Sequence, residues 1–332
     1  MNANKRDDIA VLLINLGTPD KPNTPEVREY LKEFLMDKYV IRIPRLIWIP
    51  ILYGIILNTR PQKSAQLYKK IWTDDGSPLL VHTKKQARLL QENLNKNESK
   101  NFKVEYAMRY GTPSIESKIN FLYDEGYREI IVVPMFPQYS TTTTKSIEEK
   151  IRDIFNKKAK YSSLNLKLVK DFFQEHLYVK STAETISEFQ NENGSCQKIL
   201  FSFHGIPKSY LGKDEPYKKQ CITTANSIAK YLNLDRGSYE IVFQSRFGFS
   251  EWIKPYLSER LKQLPSEGIN HIQVFCPGFV SDCLETLEEI NDESKELFLK
   301  SNGKKFEYIP CINENKTFIQ ALENIVHRNS KL

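Results

Sequence analysis

Three apolar runs in the first half of the chain return in the same order in the second half. IAVLLINLGTP (9–19) is echoed by KILFSFHGIP (198–207), FKVEYAMRYG (102–111) by YEIVFQSRFG (239–248), and YREIIVVPMFP (127–137) by INHIQVFCPGF (269–279). The runs are continuous rather than alternating, which suits parallel strands covered on both faces. Helical patterns follow them, as in Thr24-Pro25 to Met36, Pro78 to Asn93 and Gln174 to Phe189. Strands alternating with helices require a parallel, doubly wound sheet, and an ordered repeat of such units predicts two similar α/β lobes. At 332 residues the chain has the length of two ordinary domains. The expected division is 1–170 and 171–332, with the last helix, about Lys316 to Arg328, packing back across the first lobe. The natural pocket is then a cleft flanked by both sets of strand ends.

Two strand ends carry residues with chemistry. FSFHGIP (201–207) puts His204 at the tip of its strand. FCPGFVSDCLETLEEI (275–290) runs from a strand through a Pro-Gly break into an acidic helical segment. If Asp282 opens that helix, then Asp282, Glu285 and Glu289 fall along one face. Carboxylates so placed suit a metal route, and equally suit an N-cap followed by a solvated acidic face. An isolated histidine is as readily structural. Spacing alone leaves these alternatives open.

One segment fits neither period. Val40 to Leu57, VIRIPRLIWIPILYGIIL, is too apolar for a loop. Its uncharged stretch, Leu46 to Leu57, is shorter than the roughly 20 residues a membrane span needs, and Pro50 and Gly54 interrupt it. A core helix and an interfacial element both remain open. Arg42 and Arg45 beside Trp48 and Tyr53 are the basic and aromatic anchors expected of the second.

The net charge of +7 is spread along the chain, and short basic clusters such as Asn156 to Lys160 suit solvated helix ends. No zinc knuckle, RNA-binding aromatic motif or basic arm points to nucleic acid. No G-x-G-x-x-G follows a strand, which removes the dinucleotide-binding reading. Cys196, Cys221, Cys276, Cys283 and Cys311 form no C-x-x-C pair, as expected of unpaired thiols in a reducing compartment. MNANKRDDIA has no apolar core before a cleavage site, so the expected location is the cytoplasm, with peripheral membrane contact through the apolar segment.

Seven stretches taken together resemble the ferrochelatases, the family that inserts ferrous iron into protoporphyrin. They are LLINLGTP (12–19), GSPL (76–79), MRYGTPS (108–114), FPQYSTTTT (136–144), FSFHGIP, FQSRFG (243–248) and the SDCLETL-bearing stretch. The resemblance runs from about residue 9 to residue 328. It implies a chelatase-like fold: two Rossmann-like lobes, each a parallel sheet flanked by helices, with a porphyrin cleft between them and residues 40–61 as its apolar lip. Position by position it implies that Leu16, Arg60, Tyr68, Ser77, Arg109, Tyr110, Trp252 and Phe279 contact the porphyrin. His204 and Glu285 match the family's metal-site pair, with Asp282 and Glu289 extending an acidic path. Cys283 stands where some members carry a second histidine and is given no metal role. The chain lacks the cysteine-bearing tail of animal members, so Fe²⁺ is expected as substrate, with no iron–sulfur cluster and no tightly bound cofactor.

Those assignments fit the reaction. Two pyrrole N–H protons must leave while the iron sheds water, which calls for a base near neutrality, and histidine supplies one. His204 is therefore expected as proton acceptor or as the ligand that hands iron over. Carboxylates buried together are expected to have raised pKa values. Aromatics that bend the ring would lower the barrier by exposing its nitrogens. The apolar lip favours protoporphyrin over coproporphyrin, and over the more carboxylated macrocycles of cobalt or nickel chelatases. A haem carrier using the same cleft is the rival of another class, and in it the acidic row has no purpose.

Overall fold

The computed structural model describes residues 8–96, 101–212, 215–248 and 250–330. In chain order the first elements are β1 (Ile9–Gly17), α1 (Thr24–Leu35), α2 (Arg45–Ile51), α3 (Leu57–Ile71), α4 (Pro78–Leu94), β2 (Phe102–Tyr110), α5 (Ile115–Asp124), β3 (Glu129–Pro134), α6 (Thr144–Lys157) and β4 (Asn165–Leu168). There follow α7 (His176–Asn193), β5 (Lys198–His204), α8 (Tyr217–Tyr231), β6 (Tyr239–Gln244), α9 (Leu257–Gln263), β7 (His271–Phe275), α10 (Leu284–Leu287), α11 (Lys295–Lys300), β8 (Lys305–Tyr308) and α12 (Lys316–Ser330). The strands form two four-stranded sheets, ordered β2-β1-β3-β4 and β6-β5-β7-β8, and each pairing between these strands is parallel. The α/β class read from the repeat holds, with the same strand order in both sheets.

Two compact units contain these sheets: the described residues of Met1–Phe136, Ser140–Asp171 and Ile319–Leu332, and those of Pro137–Tyr139 with Phe172–Phe318. In the first, β1 is an inner strand, and Ile9 to Ile14 are at most 1% exposed. Helices cover both its faces, which is why its sequence is an unbroken apolar run. In the second, β5 holds the same place, with Leu200, Phe201 and Phe203 fully buried. The edge strands β4 and β8 have four residues each. β8, KFEY, is too short and too polar to show a period in the sequence.

Glycine is required at the tips of both inner strands. Gly17 has φ +114°, and a Cβ there would lie 1.8 Å from the Tyr110 carbonyl oxygen. At Gly205, in the equivalent turn after β5, a Cβ would lie 2.8 Å from the Gln244 carbonyl oxygen and 3.0 Å from the Trp252 ring. Each turn thus passes against its neighbouring strand with no room for a side chain.

Helix starts follow local chemistry. Asn23, rather than Thr24, caps α1 by accepting the Glu26 N–H, with Pro25 in the first turn. The acidic helix does not open at Asp282 as expected. Cys283 is its N-cap and Thr286 closes a capping box, because the Asp282 carboxylate already serves other donors. The helix is also broken: α10 spans one turn, and Glu289–Ser294 is a π-helix leading into α11.

The segment from residue 40 to 61 is helical and two-faced. α2 runs through a π turn (Leu52–Ile56) into α3, with Pro50 inside α2 and Pro61 inside α3. Ile41, Trp48, Leu52 and Leu57 form a buried cluster against Leu31 and Leu35. Leu46 is 92% exposed, and Ile43, Ile47, Ile49, Tyr53 and Ile55 are also exposed. The core-helix reading therefore holds for the buried side chains, while the others are left exposed. Trp48 corrects its expected role as an outward anchor: it is buried, and its indole N–H donates to the Leu35 carbonyl at 2.8 Å. Among the described residues no helix is long and apolar enough to cross a membrane.

Candidate functional site

In the second unit β5 ends at His204, so the imidazole stands at the carboxyl end of an inner strand. The Tyr217 hydroxyl donates to the His204 carbonyl at 2.9 Å and steadies that tip. His204 Nδ1 lies 2.6 Å from the Gly205 carbonyl oxygen. A carbonyl only accepts, so this contact assigns the proton to Nδ1 and leaves Nε2 as the basic nitrogen. Trp252 packs beside the imidazole at 6.4 Å between centroids, and Phe247 meets Trp252 edge-on at 4.9 Å.

Of the acidic residues, Glu289 is held beside the end of β6, the strand that pairs with His204. Glu289 accepts the Ser245 backbone N–H at 2.7 Å, the Ser245 hydroxyl at 2.6 Å and the Gln244 amide at 3.3 Å. Burial pushes its carboxyl above the usual range and the nearby Glu285 charge adds to this, while the Ser245 donors and His204 pull it back. Glu289 is thus within electrostatic reach of both His204 and Glu285. Among the described residues no three His, Cys, Asp or Glu side chains are gathered as a ready metal cage.

Asp282 sits differently. One carboxylate oxygen accepts from the Tyr308 hydroxyl at 2.5 Å, the Thr286 hydroxyl at 3.0 Å and the Cys311 N–H at 3.4 Å; the other accepts the Asn313 amide at 2.7 Å. It is 5% exposed and ties the helix start to the segment after β8. Cys283 is buried, with its thiol pushed well up by desolvation. Phe279 is partly buried on the turn after β7, where its N–H bonds the Cys276 carbonyl, and it packs against the unit's core.

The other expected contacts belong to the first unit. Leu16 is partly exposed near the end of β1, and the Asn15 side chain accepts its N–H. Ser77 is buried and accepts the Thr18 hydroxyl at 2.8 Å. Tyr68 is buried edge-on between Tyr30 and Trp72, whereas Arg60 on α3 is exposed. Arg109 pairs with Asp37 and also donates to the Ser146 hydroxyl. Tyr110 is fully buried and donates to the same Asp37 carboxylate at 2.8 Å. This is the plain structural role a strand-end arginine often has. A cavity of about 770 Å³ lies in this unit against the β1–α1 turn, lined by Thr18, Pro19, Tyr30, Met36, Tyr53 and Gly111 among others. It contains neither His204 nor the carboxylates.

Gln244, Ser245 and Asp37 were missed. The first two lie inside the FQSRFG stretch, but their partners are about 40 residues away, where spacing gives no signal. Asp37 follows α1 with no pattern around it.

The fold is of the chelatase class. SirB from Bacillus subtilis with Fe³⁺ matches it with a TM-score of 0.56, covering 98% of this chain and 96% of that one at 13% identity. The sirohydrochlorin chelatase SirB of B. subtilis subspecies spizizenii in complex with cobalt matches at 0.55, with the same coverage and identity. The ferrochelatase family model matches residues 8–330. A ferrochelatase of Marinobacter nauticus is 43% identical over 326 residues, 98% of this chain and 88% of that protein. One of Alcanivorax borkumensis is 42% identical over 321 residues, 97% and 94% respectively. The chain belongs to the ferrochelatase family, enzymes that insert iron into a porphyrin.

Proposed function

We propose that this enzyme inserts Fe²⁺ into protoporphyrin IX to give protohaem, with His204 and Glu285 at the centre of the reaction. The observation that carries the assignment is the His204 imidazole at the end of β5, paired with the end of β6, where Gln244 and Ser245 hold the Glu289 carboxylate, on a chain that matches the family along its length. His204 Nε2, left basic by the Gly205 contact, takes pyrrole protons or presents iron to the ring. Glu285 is its carboxylate partner, and Glu289 extends the row. Fe²⁺ accepts mixed nitrogen and oxygen donors of this kind. The donors on Asp282 support a structural part for that residue rather than a place on the metal route.

Leu16, Arg60, Tyr68, Ser77, Arg109, Tyr110, Trp252 and Phe279 are assigned to the porphyrin by their match to the family. For Arg60 the support is an exposed guanidinium, which fits a propionate carboxylate. For Trp252 it is the ring beside His204. Iron is the substrate, and neither a resident cofactor nor an iron–sulfur cluster is assigned. The test is anaerobic Fe²⁺ insertion, followed by loss of free-porphyrin fluorescence, with protoporphyrin and coproporphyrin side by side. Turnover with protoporphyrin preferred is expected. Turnover with coproporphyrin alone would overturn the substrate, and tight binding without turnover of either would overturn the catalytic reading.

The proposal includes a cytoplasmic enzyme that touches a membrane through α2 and the π turn. Six exposed apolar side chains between Ile43 and Ile55 support it, each contributing up to about 1.5–3 kcal/mol if buried in the interface. Leu46→Glu is expected to cut co-sedimentation with anionic liposomes by at least about tenfold. Undiminished co-sedimentation would count against membrane contact.

A further inference from the structure

Gln244 is 2% exposed at the end of β6, and its side chain faces neither solvent nor an apolar core. Its Oε1 accepts the Ser202 hydroxyl at 2.8 Å and the Cys276 thiol at 3.6 Å, groups carried by β5 and by the turn after β7. Its Nε2 donates to the Glu285 carbonyl at 2.8 Å and to the Glu289 carboxylate at 3.3 Å. Both acceptor sites and both donors of the amide are thereby used. The amide has one workable orientation, since reversing it would set its oxygen against a carbonyl and a carboxylate. The side chain is a strut from the sheet to the helix.

The strut meets the helix at a particular place. Glu285 lies in α10, and Glu289 begins the π-helix that follows. A side-chain donor on a helix carbonyl is a recognised cause of a local break in the ladder, and π turns gather at functional sites. The next residue, Ser245, has φ +65°, unusual for serine. That conformation lets both its N–H and its hydroxyl reach the two oxygens of Glu289. Strain at one residue and a saturated buried amide at its neighbour thus converge on one carboxylate, and Gln244 itself pairs with His204 across β5 and β6.

We infer that Gln244 is a positioning residue for the iron-handling carboxylates: its amide fixes the Glu285 backbone and the Glu289 carboxylate relative to His204. The inference rests on the ferrochelatase reading above. Gln244 does not touch the reacting atoms, and it acts through the two glutamates. Its removal therefore changes how the protein handles iron and leaves the porphyrin contacts alone.

The test is steady-state insertion with Fe²⁺ and porphyrin varied separately, in the unaltered protein and in Gln244→Met, which keeps the volume and removes donors and acceptor. The KM for Fe²⁺ is expected to rise about tenfold for the lost pair of hydrogen bonds. The porphyrin KM, and porphyrin affinity from fluorescence quenching, are expected to stay within about twofold. Gln244→Glu is run in parallel, because it retains the acceptor toward Ser202 and Cys276 and should fold if the methionine variant does not; the same split is expected of it. A general packing role would move both KM values together or lower only the folded fraction, and that result in the folded variants would overturn the inference. An unchanged Fe²⁺ KM would overturn it too. Absence of turnover in the unaltered protein would instead overturn the ferrochelatase reading, and this inference with it.

Discussion

His204→Ala is expected to lower iron insertion by at least about 100-fold, the scale of a lost general base or ligand. Porphyrin affinity, measured by fluorescence quenching, is expected to stay within about threefold, because the imidazole serves the transition state more than ground-state binding. The geometry makes the expectation specific. Nδ1 is held by the Gly205 carbonyl at 2.6 Å, so Nε2 is the nitrogen whose loss matters. The carbonyl of His204, not its ring, accepts the Tyr217 hydroxyl, so the strand tip keeps that support in the variant. Near-normal turnover by a folded His204→Ala protein would remove His204 from the mechanism.

Asp282→Ala is expected to act on stability instead. It strips the acceptor from the Tyr308 and Thr286 hydroxyls, the Asn313 amide and the Cys311 N–H, all in a buried setting. Leaving buried donors unpaired costs about 1–3 kcal/mol each in the worst case, and about 3–5 kcal/mol is expected after local relaxation. That corresponds to a fall in Tm of roughly 6–20 °C for a unit of this size. Activity is expected to track the folded fraction, with the Fe²⁺ KM unchanged within about twofold. A variant of normal Tm whose Fe²⁺ KM rises sharply would return Asp282 to the metal path.

Asp282 is thereby divided from the two glutamates that spacing had joined to it. Asp282, Glu285 and Glu289 share a helical period on paper, yet α10 begins after Asp282 and the chain turns π at Glu289. The period supposed one regular helix, and the capping by Cys283 and the Gln244 strut are tertiary facts with no local signature. The inner strands were legible because burial on both faces leaves an unbroken apolar record, as in β1 and β5. β8 left no such record, being a four-residue edge. Trp48 was misread because a helix apolar all round has no period to say which face is inward. His204 and Glu285 are proposed from the motifs that carry them, while Gln244 and Ser245 come to notice only through contacts across the fold.

The two faces of α2 also separate two burdens that one apolar sequence seems to merge. Trp48, Leu52 and Leu57 belong to a buried cluster, whereas Leu46, Ile47 and Ile55 are exposed. The outward set is an adhesive surface and a liability for self-association at high concentration. It can be exchanged for polar residues without opening a cavity, so handling properties in solution can be tuned independently of folding.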